Sequence, residues 1–145
     1  MLPKEEAAEK AVSRFVSAYN CAESVLMTMA EVLGVKSNIV PKVATPFGAG
    51  ISREGLLCGC IAGGVMSIGL KYGRSNPSDD RAKAYELTVQ FCREFERKFG
   101  SLFCFELVGC DFHTEEGLKR FESIRKEKCD NFVRESVRIL LDLMC

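Results

Sequence analysis

Eight cysteines stand against a single histidine in this 145-residue chain, so its side-chain chemistry is thiol chemistry. Three thiols fall at expected helix starts. Cys21 directly follows Asn20, Cys58 opens a glycine-rich apolar run, and Cys104 comes three residues after Ser101. Cys129 joins them if the chain breaks near Lys128 to begin a new helix. The first turn of a helix has unpaired backbone N–H groups and the positive end of the dipole, which together stabilise a thiolate over a thiol. Any one such cysteine is explained by a small soft residue packing in a first turn. Its recurrence at three or four starts favours a reactive role.

The other four thiols differ. Cys92 lies on an apolar helical stripe and is read as core, while Cys145 is the final residue. Cys110 follows Gly109 in a turn and is an accessory candidate, as is Cys60. Residues two apart on a helix are separated by roughly 200° around the axis. Only one of Cys58 and Cys60 therefore faces a common site, unless the backbone there is not helical. Standard metal and cofactor spacings are missing: there is no Cys-x-x-Cys and no haem-attachment motif, and His113 reads as a loop or capping residue rather than a base for Cys110. Dispersed cysteines still leave zinc or an iron–sulfur cluster open, bound by Cys21, Cys58, Cys104 and Cys129. The cofactor is otherwise unknown, and dithiol chemistry requires none.

The elements that position these thiols read as helices. Ala8, Ala11, Val12, Phe15 and Val16 recur at three- and four-residue steps over residues 4–18. Asn20 and Glu23 form a capping box for a second helix that stops at Gly34. A short turn over 38–44 and a loop over 45–52 precede a nearly all-apolar helix over 55–72. Its glycines Gly59, Gly63 and Gly64 suit close helix packing or approach to a thiol. Gly48 and Gly50, in the loop before it, suit a backbone passing near the site. Residues 76–80 signal the start of a fourth helix burying Tyr85, Val89, Cys92, Phe95 and Phe99. Ser101 caps a short fifth reaching Val108, and Thr114 begins the last region, continuous or broken over 128–131. No sustained alternation or hairpin turn marks a strand, so the expected fold is all-α, a bundle-like array of about six helices in a single domain spanning 1–145.

Composition narrows the function. Lys plus Arg equals Asp plus Glu at 20 each, which removes the basic footprint of a nucleic-acid binder and any electrostatic pull toward anionic membranes. The longest apolar run is glycine-broken and too short to span a bilayer, so no membrane insertion is expected. The N-terminus shows no secretory pattern, so the expected location is the reducing cytoplasm, where structural disulfides are uncommon.

Several segments resemble the C_GCAxxG_C_C family, whose name describes it as redox-active. They are Asn20-Cys21-Ala22-Glu23-Ser24-Val25-Leu26, Phe47-Gly48-Ala49-Gly50, Cys58-Gly59-Cys60-Ile61-Ala62-Gly63, Ile68-Gly69-Leu70-Lys71-Tyr72-Gly73, Phe99-Gly100-Ser101-Leu102-Phe103-Cys104 and Lys128-Cys129. The resemblance implies four family cysteines, mapped onto Cys21, Cys58, Cys104 and Cys129. The Cys58 register places Gly63 at the family's second glycine. The expected function is a thiol-redox protein, with thiol–disulfide oxidoreductase as the candidate enzymatic activity. One thiolate attacks a disulfide or oxidant and a neighbour resolves the mixed disulfide, with Cys21 favoured as attacker for its clear cap. The expected partner is a redox protein or a small thiol or disulfide. The rival readings are a metal-binding protein and a non-catalytic interaction domain with packing cysteines, its residues 55–72 buried in a homodimer.

Overall fold

The computed structural model describes residues 2–145. Its first two helices follow the apolar periodicity. α1 (Lys4–Ser17) buries Ala7, Ala8, Ala11, Val12 and Phe15. α2 (Cys21–Leu33) opens on the capping box: the Glu23 amide donates to Asn20 Oδ1 and the Asn20 amide donates to Glu23 Oε1, each at 2.9 Å. Left-handed Gly34 ends it. A 3₁₀ segment (Lys42–Phe47) leads into α3 (Gly48–Ile51), followed by α4 (Gly59–Tyr72), α5 (Ala82–Phe99), α6 (Cys104–Val108) and α7 (Glu115–Met144). Among the described residues there is no strand, only an isolated antiparallel bridge between Leu57 and Phe103. The all-α, bundle-like expectation therefore holds. Six of the helices are right-handed. No helix among the described residues is long and apolar enough to cross a membrane.

α4 is the central helix, with Gly59, Cys60, Ile61, Ala62, Gly63, Gly64, Ser67 and Ile68 buried. It packs on α2, α5 and α7, and α1 lies along α7. Ion pairs line the α1–α7 seam: Lys4–Asp142 and Glu9–Arg134, both at 2.6 Å, and Glu5–Arg138. These exposed pairs set register more than stability.

Three features differ from expectation, and the alternative left open over 128–131 is decided. α4 begins at Gly59, not at 55, because Gly55 is left-handed and Leu57 pairs with Phe103. Residues 76–80 close a separate turn, in which the Asp79 carboxylate accepts the amides of Ser75 and Asn76 at 3.1 and 3.3 Å. Asp80 then accepts from the Ala82 amide at 2.8 Å, where α5 begins. The stripe on α5 is Leu87, Phe91 and Phe95; Tyr85 and Val89 are 62% and 45% exposed. Arg81 lies over the Tyr85 ring, 5.3 Å from its centroid, and Phe91 instead fills the space above Gly64, where an added Cβ would overlap its ring. Finally, α7 runs unbroken through 128–131, so Cys129 sits mid-helix.

The segment before α4 has an unusual hand. Residues 49–53 all have positive φ: Ala49 55°, Gly50 64°, Ile51 62°, Ser52 51° and Arg53 67°. α3 is thus a left-handed turn, expected as a loop. Left-handed backbone costs about 1–2 kcal/mol for each residue carrying a Cβ, and Ile51 is β-branched, the least suited type. Hydrogen bonds with the flanking chain hold it: the Leu56 amide donates to Gly50 O and Ser52 Oγ donates to Pro46 O, both at 2.9 Å.

Two outcomes follow for urea unfolding. Arg53→Gly relieves backbone strain at an exposed position and raises stability by about 1 kcal/mol, despite loss of the surface pair to Glu122. Gly64→Val drives a side chain into the Phe91 ring and lowers stability by roughly 1–3 kcal/mol.

Candidate functional site: five thiols around one cavity

The features that shape these elements also bring five sulfurs together. The capping box fixes Cys21 as the first residue of α2. Its sulfur lies against the start of α4, where an added Cβ at Gly59 would overlap it; only glycine admits the thiol there. The bridge places two more. The Cys58 amide donates to Leu102 O at 2.9 Å and the Cys104 amide to Leu56 O at 2.7 Å. Beside this pair Leu56 and Phe103 are exposed and Leu57 is half-buried against the core, while Cys58 and Cys104 are buried. Cys60 is fully buried in the first turn of α4, and Cys129 enters from α7.

Cys21, Cys58, Cys60, Cys104 and Cys129 line one cavity of about 20 Å³, room for a single water, together with Phe15, Phe121 and Phe132. Cys58 and Cys60 both reach it. Cys58 is the N-cap residue with extended backbone (φ −55°, ψ 134°), so the helical separation that would set the two thiols on opposite faces does not apply. Cys110 is buried outside this lining, its thiol 3.7 Å from Val108 O. Cys92 is half-buried on α5, Cys145 is exposed, and His113 is an exposed loop residue whose amide donates to Asp111 at 2.9 Å.

The thiols are electrostatically unequal. Cys21 is drawn down to about 7, first by the Cys60 thiol turned toward its sulfur, then by the amides of Ala49 and Ala22 and the charge of Arg125, against the cost of burial. The Ala49 amide belongs to the left-handed turn. Cys60 moves the opposite way, held well above the ordinary thiol range by burial and by its contacts with Cys21 and Cys58. Burial and neighbouring thiols likewise raise Cys104 and Cys129. A helix start therefore does not activate every thiol it carries. Cys104 opens only a five-residue helix, and Ser101 does not cap it; its hydroxyl accepts the Phe103 amide at 3.0 Å. Cys129 has no helix start at all.

Residue types alone did not reveal Ala49, which acts through its backbone, or Arg125. The latter stands four residues before Cys129, hence on the same face of a continuous α7, a relation visible once no break is assumed. Among the described residues, no group of three or more His, Cys, Asp or Glu side chains is arranged to hold a metal ion.

The family model described as "Putative redox-active protein (C_GCAxxG_C_C)" matches residues 19–143, and the chain belongs to that family. No curated protein and no solved structure matches it.

Alkylation of reduced protein by iodoacetamide, read on the Cys21 peptide, should accelerate as pH rises through about 7 and then level. In Cys60→Ala the midpoint moves upward, because the donor that most favours the thiolate is gone. A midpoint unchanged by that substitution would contradict the assignment.

Proposed function

We propose that this member of the C_GCAxxG_C_C family is a cytoplasmic thiol–disulfide oxidoreductase in which Cys21 is the attacking thiolate and Cys60 the resolving thiol. The observation that carries the reading is the pairing of one thiol drawn down with an adjacent one held up, the first accepting and the second donating. A thiol with a pKa near ambient pH is close to the optimum for attack, since further lowering costs nucleophilicity.

In the first step the Cys21 thiolate attacks one sulfur of a disulfide R–S–S–R. A Cys21–S–S–R bond forms and R–S⁻ leaves. This removes the negative charge that Cys60 faces, so one cause of its raised pKa disappears as its thiolate becomes necessary. Cys60 then loses its proton and attacks the Cys21 sulfur, closing a Cys21–Cys60 disulfide and expelling the second R–S⁻. Two electrons pass from the protein to R–S–S–R, and the Cys60 proton and one from solvent end on the two released thiols. A dithiol partner protein or excess small thiol reverses the sequence. Cys58, beside Cys60, is a reserve thiol, and Cys104 and Cys129 complete the buried wall.

Intact-mass analysis after treatment with hydroxyethyl disulfide tests the assignment. Wild type loses two hydrogens without retaining an adduct, Cys60→Ser accumulates one mixed disulfide at Cys21, and Cys21→Ser does neither at the buried thiols. A Cys60→Ser protein that still closes an internal disulfide at the wild-type rate would refute Cys60 as resolver.

A further inference from the structure

Above the thiols lies a second space, an open cleft of about 580 Å³ between the end of α1, the left-handed turn and α7. That volume is in the usual range for a small-molecule site. Phe15, Ala49, Phe121 and Arg125 line both the cleft and the thiol cavity, so they form the partition between them. Half-buried Cys21 stands behind it.

The cleft's charges are unevenly satisfied. Glu23 accepts the Asn20 amide and the Thr45 hydroxyl, the latter at 2.7 Å. Arg53 pairs with Glu122 at 3.3 Å. Arg125 and Lys126 have no ion-pair partner among the described residues. The Arg125 guanidinium lies over the Phe15 ring, 4.9 Å from its centroid. Stacking fixes its plane while leaving its N–H fork open, the arrangement in which arginine holds a carboxylate.

We infer that this cleft receives a small carboxylate-bearing disulfide, held by Arg125 and Lys126 so that its sulfur meets Cys21 past Ala49. The inference rests on the reading of Cys21 as nucleophile and adds the substrate class. A cation set at the partition, rather than elsewhere on the rim, orients a disulfide whose charge is a few bonds from its sulfur. Such a substrate reacts by the exchange already described: Cys21 takes one sulfur, and the other leaves as a thiolate.

The test compares glutathione disulfide, which is anionic, with neutral hydroxyethyl disulfide, as initial rates of Cys21 loss read on its peptide. Taking the ratio of the two rates at one pH cancels any change in thiolate fraction. Arg125→Met lowers the ratio about two- to fivefold, the range of an ion pair near solvent, whereas Arg125→Lys keeps most of it. Lys126→Gln, an exposed change that leaves the Phe15 contact intact, lowers it in the same direction, and high salt lowers it in wild type. A ratio unchanged in Lys126→Gln and in a folded Arg125→Met overturns the cleft. With Arg125→Met unfolded, an unchanged ratio in Lys126→Gln and at high salt does the same. A protein reactive toward both disulfides but indifferent to these changes refutes the cleft alone; one unreactive toward both refutes the nucleophile with it.

Discussion

One thiol, Cys21, drawn toward its ionised form at the edge of a helical core, is the constraint around which the rest is arranged. A buried charge is tolerated only where donors replace the water it has lost. Around Cys21 those donors are a neighbouring thiol and two backbone amides, with Arg125 adding its field. The sulfur needs the bare backbone of Gly59 to lie where it does, and that requirement sets how closely α2 and α4 approach. The capping box fixes the cysteine from the other side, since Asn20 and Glu23 determine where α2 begins.

The left-handed turn belongs to the same constraint. Four residues carrying side chains hold a backbone conformation that glycine adopts more readily, and they do so beside the site. Strain of this kind persists where the surroundings over-determine it and the geometry serves a purpose. Here it brings the Ala49 amide to the Cys21 sulfur and makes Ala49 part of the wall between the thiols and the outer cleft. A right-handed turn would carry the chain elsewhere.

Much of this was legible from residue types and spacing. The six right-handed helices, the Asn20–Glu23 box, the Thr114 cap and the glycine stops at Gly34, Gly100 and Gly109 follow from local rules that the tertiary structure leaves intact. Local rules failed where distant contacts decide. Tyr85 and Val89 satisfy a helical stripe as well as Leu87 and Phe91 do; the packing space at Gly64 on another helix selects between them. Helical spacing leaves two readings for Cys58 and Cys60, and pairing of Leu57 with Phe103 decides between them by holding the chain extended at Cys58, which lets both thiols in. The hand of residues 49–53 has no signature beyond Gly48 and Gly50, because Ile51 and Arg53 argue for the opposite.

The thiol cluster is therefore electrostatically unequal, Cys21 drawn down and Cys60, Cys104 and Cys129 held up, and the proposed chemistry rests on that difference. Peptide mapping of the protein after oxidation by one equivalent of a disulfide tests this most directly. A single linkage joining Cys21 to Cys60, with Cys104 and Cys129 still reduced, is the predicted result. A dominant linkage that leaves Cys21 as a free thiol would contradict it.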